Sequence, residues 1–131
     1  MIYLDANVII RLLEGDTATR APLEARLLPM RGAGALFVTS RLSRLECRVK
    51  PLRENDQQVL ALYDAFFSST EVKLLELTDI VVEKATDLRA ILNVRTPDAL
   101  HLASALLAGA STFITGDRTL TRCTEISVEV L

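Results

Sequence analysis

Residues 2–10 read Ile-Tyr-Leu-Asp-Ala-Asn-Val-Ile-Ile, and this stretch decides the fold. Three apolar residues of strand length lead directly into Asp5, and apolar residues at helical spacing follow over residues 7–14. A strand that passes into a helix through one polar residue is typical of parallel sheets covered by helices. In such sheets, ligands bind at the carboxyl ends of the strands. The stretch therefore predicts an α/β fold with Asp5 at that edge.

The same alternation continues along the chain. Apolar runs of strand length lie at residues 2–4, 36–38, 72–77, 113–114 and 126–131, and helical spacing occurs at residues 7–14, 18–30, 42–49, 57–67, 81–92 and 99–107. This order predicts a three-layer α/β sandwich, in which a central, mostly parallel sheet of four to five strands is flanked by helices. We expect residues 1–131 to form a single domain, because 131 residues is the commonest domain size.

Capping and helix-breaking residues divide these segments. Asn55 and Thr78 are predicted N-caps, and Thr96 is predicted to cap the helix that begins with the next residue, a proline. Pro29 and Pro51 lie near the ends of helical segments and are predicted to end them.

The composition excludes several classes of protein. Hydrophobic residues make up 50% of the chain and charged residues 24%, which is globular rather than disordered usage. The longest apolar stretch, near residues 99–110, is about half as long as a membrane span, and no signal peptide is predicted at the N-terminus. The net charge of −2 argues against a purely electrostatic nucleic-acid binder.

The cysteine and histidine residues do not indicate a zinc site or a disulfide framework. Cys47 and Cys123 lack the paired spacing of a zinc site and are too few for a disulfide framework, so we expect a reducing compartment, the cytoplasm. His101 is the only histidine. Because its neighbours are apolar, we predict that it is packed in the core rather than acting as a ligand or base.

Three aspartates lie at positions where function and structure compete. Asp5 follows residues 2–4 and Asp117 follows residues 112–116, so both would lie at one edge of a parallel sheet. Asp98 lies early in a predicted helix. Each has a structural alternative, because aspartate caps helix N-termini and the helix dipole favours acids in the first turn. The pattern alone leaves both interpretations open.

Glu46 is unusual because of its place on a helix. At 100° per residue, it lies beside three apolar residues and roughly opposite three arginines. The apolar residues are Leu42, Leu45 and Val49, and the arginines are Arg41, Arg44 and Arg48. A carboxylate at the border of a face predicted to be buried needs a partner from elsewhere in the fold. The alternative is a glutamate that reaches water from the helix edge.

Together, the four acids indicate a site for a cation. If they converged, each pair at ~5 Å would repel by ~3 kcal/mol at an effective dielectric constant of about 20. Carboxylates without histidine or cysteine partners are typical ligands of Mg²⁺ or Mn²⁺. The usual chemistry of such sites is phosphoryl hydrolysis.

Four motifs carry a resemblance to a known family. They are Tyr-Leu-Asp-Ala-Asn-Val-Ile-Ile at residues 3–10, Thr-Ser followed by Ser-Arg-Leu-Glu within residues 39–46, Thr-Pro-Asp-Ala-Leu-His-Leu-Ala at residues 96–103, and Phe-Ile-Thr-Gly-Asp at residues 113–117. In this order and at these spacings, the chain resembles the PIN-domain ribonucleases. In length and layout it resembles the VapC-type toxins of bacterial toxin–antitoxin pairs.

The resemblance implies a metal-dependent endoribonuclease. Its products would carry 5′-phosphate and 3′-hydroxyl ends, and one or two Mg²⁺ or Mn²⁺ ions would be held by Asp5, Glu46, Asp98 and Asp117. Asn7 and Thr115 would hold Asp5 in place through hydrogen bonds.

The resemblance also implies partners. The substrate would be RNA, with tRNA and rRNA as candidates, and a VapB-type antitoxin would place an arginine near the acids. A homodimer is usual in this family, and the interface could use Leu60, Tyr63 and Phe67, which core packing explains equally well. One helix face carries Arg41, Arg44 and Arg48. This face could bind RNA phosphates, or it could be an ordinary solvent-exposed face.

Other functions fit the residues less well. A haloacid-dehalogenase-type phosphatase needs a second aspartate where this chain has Asn7. A magnesium-binding receiver module requires a lysine at the end of one of the last strands. The lysine nearest to the C-terminus is Lys84, so this requirement is not met. A catalytically silent PIN-like module that acts through partner binding is the alternative that stays open.

Overall fold

The computed structural model describes all 131 residues. The strands are β1 (Ile2–Leu4), β2 (Phe37–Ser40), β3 (Val72–Leu75), β4 (Thr112–Thr115) and β5 (Ser127–Val130). The helices are α1 (Ala6–Glu14), α2 (Thr17–Gly32), α3 (Arg41–Arg53), α4 (Gln57–Ser68), α5 (Asp79–Leu92) and α6 (Thr96–Ala108), and a 3₁₀ turn spans Arg118–Arg122. None of the helices is both long and apolar enough to cross a membrane.

The five strands form one parallel sheet in the order β3-β2-β1-β4-β5. The central strand β1 pairs on both sides, so that Tyr3 lies opposite Val38 of β2 and Phe113 of β4. The predicted α/β sandwich with a mostly parallel sheet is confirmed. The chain builds outward from β1 in one direction and then crosses to β4 on the other side. A switch of this kind leaves a crevice between β1 and β4 at their carboxyl ends, where open α/β sheets bind ligands.

Helices cover both faces of the sheet because the side chains of each strand alternate in direction. In β1, Tyr3 belongs to a cluster that includes residues of α5 and α6, whereas Ile2 and Leu4 belong to a cluster that includes residues of α1, α2 and α4. The rings of Tyr3 and Phe113 stack with centroids 5.0 Å apart. The layers therefore hold β1 and β4 together directly beneath the crevice.

The predicted caps were correct at Thr78 and wrong at two other positions. The Thr78 side chain accepts the N–H of Val81 at the start of α5. Asn55 adopts a left-handed conformation with φ 53°, and its neighbour Asp56 caps α4 instead. Thr96 is the first residue of α6, so that Arg95 occupies the N-cap position without a side-chain capping bond.

Pro29 and Pro51 do not end their helices, contrary to the prediction. The helix α2 continues to Gly32, and α3 continues to Arg53. A proline inside a helix loses one backbone hydrogen bond. Pro51 is buried and lies two residues before the end of α3.

The buried face of α3 also differs from the prediction. Its buried residues are Ser43, Cys47 and Pro51. Of the three apolar side chains predicted to face the core, Leu45 and Val49 are exposed, at 60% and 41%, and Leu42 is half-buried. Small side chains allow α3 to approach α1 closely, so that the Cys47 Sγ lies 4.0 Å from the Ala6 carbonyl oxygen. Close approach of the backbones, rather than hydrophobicity, selects the face.

The apolar residues of α4 take part in the core. Leu60, Tyr63 and Phe67 are all buried, and the Tyr63 hydroxyl donates a hydrogen bond to Glu14 of α1. Core packing therefore accounts for these three side chains, and they are not free to form a subunit interface.

Candidate active site

Asp5 lies at the carboxyl end of β1, where the strand passes into α1. Its side chain is almost fully buried, with 3% of the residue exposed. One carboxylate oxygen, Oδ1, accepts the backbone N–H of Ala6 at 2.8 Å and so caps α1. The other, Oδ2, accepts hydrogen bonds from the Thr115 hydroxyl at 2.7 Å and from the Asn7 amide at 3.1 Å. The capping alternative is thus correct, and capping occupies only one of the two oxygens.

Asn7 and Thr115 also join the ends of β1 and β4. The Asn7 Oδ1 accepts the backbone N–H of Gly116 at 2.8 Å, and the Thr115 hydroxyl oxygen accepts the N–H of Asp117 at 3.0 Å. A Cβ at Gly116 would lie 3.2 Å from that Asn7 oxygen, so the close approach favours glycine. These bonds hold Asp5 close to the loop that carries Asp117.

Burial raises the pKa of the Asp5 carboxyl above its ordinary value, and the negative charge of Asp98 raises it further. The His101 ring and the hydrogen bonds from Thr115 and Ala6 oppose this rise. The Asp5 carboxylate is therefore held in place by hydrogen bonds but remains short of positive charge, and a nearby cation would favour its ionised form.

Glu46 approaches Asp5 from α3. Its Oε1 lies 2.5 Å from Nε2 of His101, and the same nitrogen lies 3.7 Å from Oδ1 of Asp5. The other ring nitrogen, Nδ1, lies 2.7 Å from the hydroxyl of Tyr3. The prediction that His101 is packed is correct, because it is 1% exposed. Its contact with Glu46 was not predicted, although its place one helical turn after Asp98 is a signal that could have suggested it.

Asp98 lies in the first turn of α6 and is 6% exposed. Two nitrogens of the Arg95 guanidinium donate to the two carboxylate oxygens of Asp98. Nε lies 3.1 Å from Oδ2, and Nη2 lies 3.4 Å from Oδ1. The hydrogen bond to Asp98 raises the pKa of Arg95, and the charges of Asp117 and Glu46 add to this effect. Arg95 is therefore the cation that faces three of the four acids. Sequence reasoning misses it, because the predicted cap of α6 is Thr96 rather than Arg95.

Asp117 follows β4 and begins the 3₁₀ turn. Its Oδ1 accepts the backbone N–H of Thr119 at 2.9 Å and the Thr119 hydroxyl at 2.8 Å. These hydrogen bonds lower the pKa of Asp117, and the charge of Arg95 lowers it further. The capping alternative is correct here too. It leaves Oδ2 of a partly exposed, ionised carboxylate at the rim of the crevice.

The charge of Asp98 acts on Asp5, but no group of three or more histidine, cysteine or acidic side chains is arranged to enclose a metal ion. The donors are oxygen atoms only, and Mg²⁺ is usually held by one or two carboxylates with several waters rather than by a protein cage. A buried carboxyl group such as Asp5, whose pKa is raised by burial and by a neighbouring carboxylate, is a suitable environment for such an ion. The donor set therefore fits a hard divalent cation.

The three arginines predicted to contact RNA all have acidic neighbours. Arg41 binds Glu76 at 2.7 Å, and both Arg44 and Arg48 lie 3.2 Å from Asp64. Each of these pairs is at the surface or partly exposed. Exposed pairs contribute only about 0–1 kcal/mol, so an RNA phosphate could replace either acid.

Comparisons with known proteins agree with this architecture. The family model described as the PIN domain matches residues 2–125. Comparison with curated protein sequences gives no significant match.

Solved structures share the fold at low sequence identity. VapBC2 from Rickettsia felis, bound to a DNA fragment from its promoter, has a TM-score of 0.78 and 17% identity over 99% of this chain and 98% of that chain. DNA-bound VapBC from Salmonella typhimurium has a TM-score of 0.76 and 18% identity over 98% and 96%. VapC20 from Mycobacterium tuberculosis, described as a sarcin-ricin loop cleaving toxin, has a TM-score of 0.74 and 16% identity over 92% and 93%.

Proposed function

The chain belongs to the PIN-domain family, and on this premise we propose that it is a metal-dependent endoribonuclease that acts as the toxin of a type II toxin–antitoxin pair. The observation that carries the proposal is the position of Asp5. It is a buried carboxylate at the switch point of a parallel sheet, its pKa is raised by burial and by Asp98, and Glu46 reaches it through His101. A protein that keeps such a group ionised needs a cation at this place.

We assign the cation site to Asp5, Glu46, Asp98 and Asp117. A Mg²⁺ or Mn²⁺ ion held by these residues would supply activation of water and neutralisation of charge on the scissile phosphate. Asn7 and Thr115 keep Oδ2 of Asp5 directed into the crevice, because both donate to it. Glu46 and Asp117 are partly exposed and form the side of the site that an incoming phosphodiester reaches. The expected products carry 5′-phosphate and 3′-hydroxyl ends.

The substrate and partner follow from the same family. VapC20, which shares the fold, is described as cleaving the sarcin-ricin loop, and this supports an RNA substrate such as rRNA or tRNA. Two of the similar structures are VapBC complexes, and these support a VapB-type antitoxin as the partner. A homodimer in the cytoplasm is the assembly expected for such a toxin. Arg41, Arg44 and Arg48 would contact RNA by exchanging their acidic neighbours for phosphates.

Cleavage of RNA by the purified protein tests the proposal. The protein, free of any partner, is incubated with total cellular RNA in Mg²⁺ or Mn²⁺ and then in EDTA, together with Asp98→Asn. The matched control is Asp87→Asn, an exposed aspartate on α5 outside the crevice. We expect discrete fragments with 5′-phosphate ends that disappear in EDTA and in Asp98→Asn but persist in Asp87→Asn. Intact RNA from a folded protein that binds Mn²⁺ would favour the catalytically silent module instead.

A further inference from the structure

His101 is a buried residue whose two ring nitrogens both face polar groups. Nδ1 lies 2.7 Å from the Tyr3 hydroxyl, and Nε2 lies 2.5 Å from Oε1 of Glu46. Both His101 and Tyr3 are inaccessible to solvent, at 1% and 0% exposure. A buried polar side chain with every hydrogen-bonding atom used is held in one orientation. The contacts join β1, α6 and α3, which lie far apart in the chain.

The hydrogen positions follow from the partners. A carboxylate only accepts hydrogen bonds, so Nε2 carries the hydrogen and donates it to Glu46. A tyrosine hydroxyl can both donate and accept a hydrogen bond, so that of Tyr3 satisfies Nδ1 of the ring. The hydrogen-bonded contacts therefore run from Tyr3 through His101 to Glu46.

Glu46 depends on this contact for its position. It lies on α3 with one third of its side chain exposed, and the bond from His101 is the only hydrogen bond that its carboxylate makes. Without it, the side chain would be free to exchange among rotamers in the solvent, because glutamate has several rotatable bonds. The same ring nitrogen lies 3.7 Å from Oδ1 of Asp5, so the hydrogen bond to His101 keeps the Glu46 carboxylate near Asp5.

We propose that His101 is a positioning residue, which holds the Glu46 carboxylate beside Asp5 while Tyr3 fixes the ring from behind. The inference rests on the proposed function, because the position of Glu46 matters through the divalent cation that Glu46 and Asp5 hold together. His101 itself does not bind the cation, since Nε2 is occupied by a hydrogen. Partners of this kind set the orientation of a carboxylate ligand, and losing them typically weakens metal affinity.

Mn²⁺ binding to the partner-free protein tests the positioning, measured by calorimetric titration. We expect His101→Leu to weaken Mn²⁺ binding by about 10- to 100-fold, the usual range for such partners. His101→Gln should recover most of the loss, because the glutamine amide can donate from about the place of Nε2. Ser104→Ala is the control. It removes a buried hydroxyl from the same helix that bonds only the Leu100 carbonyl, and it should leave Mn²⁺ binding unchanged.

Nitrogen NMR of the imidazole gives a second readout that needs no metal. Because His101 is the only histidine, labelled histidine reports on it alone. We expect a hydrogen on Nε2 in both the unaltered protein and Tyr3→Phe, because Glu46 accepts it in both, and a changed Nδ1 chemical shift in Tyr3→Phe, where Nδ1 loses its partner. The Tyr3→Phe variant keeps the stacked ring in the core and so also serves if His101→Leu folds poorly.

The outcomes separate this inference from the proposed function. Equal Mn²⁺ affinity in the unaltered protein, His101→Leu and His101→Gln would overturn the positioning role and leave the metal site intact. A hydrogen on Nδ1 rather than Nε2 would also overturn it. No Mn²⁺ binding by the folded, unaltered protein would overturn the proposed function itself, and with it the reason for holding Glu46 in place.

Discussion

Arg95 binds Asp98 from the outside of the crevice, with Nε 3.1 Å from Oδ2. The two side chains differ sharply in environment, because that of Arg95 is 76% exposed and that of Asp98 is 8% exposed. An exposed cation thus neutralises a buried acid of the proposed metal site. Arg95 and a divalent cation would compete for the same carboxylate.

The first prediction concerns this competition. In Arg95→Gln, the buried Asp98 has no positive neighbour, so we expect Mn²⁺ to bind up to about fivefold more tightly, as an exposed ion pair contributes up to about 1 kcal/mol. Calorimetric titration at low and high salt measures the effect, which should shrink at high salt. Arg20→Gln, which removes an exposed pair with Glu24 on α2, is the matched control. Weaker Mn²⁺ binding in Arg95→Gln would instead place Arg95 among the groups that support the metal site.

The second prediction concerns the pH dependence of stability without metal. Because the pKa of Asp5 is raised in the folded protein, mainly by burial, its contribution to stability is fully present at low pH. The contribution is lost as the pH rises through the raised pKa. We therefore expect the melting temperature of Asp5→Asn, relative to the unaltered protein, to increase from about pH 4 to pH 7, starting near the ordinary pKa of aspartate.

Thermal unfolding in EDTA across this pH range measures the difference, and saturating Mn²⁺ at neutral pH should stabilise only the protein with Asp5. A difference in melting temperature that does not change with pH would contradict the raised pKa. Asp87→Asn, an exposed position, should show no such trend.

The third prediction concerns Thr115. The Thr115→Val substitution keeps the shape of the side chain but removes the hydroxyl that bonds both Asp5 and the backbone of Asp117. Leaving buried partners without a hydrogen bond should lower the free energy of unfolding by about 1–3 kcal/mol. Chemical denaturation measures this loss. Thr112→Val, at the other end of the same strand, should cost much less, and an equal cost at both positions would show that Thr115 acts only through strand packing.

The fourth prediction concerns RNA binding outside the crevice. Replacing Arg41, Arg44 and Arg48 together by alanine should weaken binding of an RNA oligonucleotide in EDTA. It should also reduce the slope of the logarithm of the binding constant against the logarithm of the salt concentration by about 0.7 for each phosphate that the variant no longer neutralises. Fluorescence anisotropy at several salt concentrations measures both quantities.

A triple alanine variant on α2 provides a control with the same change in charge. Its three arginines, Arg20, Arg26 and Arg31, are also paired with acids but lie on a different helix. Equal slopes in the two triple variants would show that the arginines of α3 do not contact the RNA.

The places of three residues of the proposed site could be predicted from the sequence, because each lies where a strand ends or a helix begins. Asp5 and Asp117 each follow a strand and begin a helical segment, so their places at one sheet edge follow from the pattern of strands and helices. Asp98 is fixed by the first turn of α6 in the same way. Glu46 could be recognised as exceptional, but its partner could not be identified.

Hydrophobic spacing was a poor guide on α3. The helix buries Ser43 and Cys47 and exposes Leu45, because short side chains permit close approach to α1 whereas the leucine would hold the helices apart. A helical wheel contains no information about the shape of the neighbouring element, and therefore it selected the wrong face.

The sequence by itself determined the α/β alternation, the parallel sheet and the strand-end acids, since short-range periodicity and capping decide these features. Only the tertiary structure decided that Tyr3, His101 and Glu46 form one hydrogen-bonded chain and that Arg95 turns toward the acids. His101 is separated from Tyr3 by 98 positions and from Glu46 by 55, so their contact depends on how β1, α3 and α6 pack together. Packing of distant elements, which no local pattern specifies, determines which polar groups finally meet in the crevice.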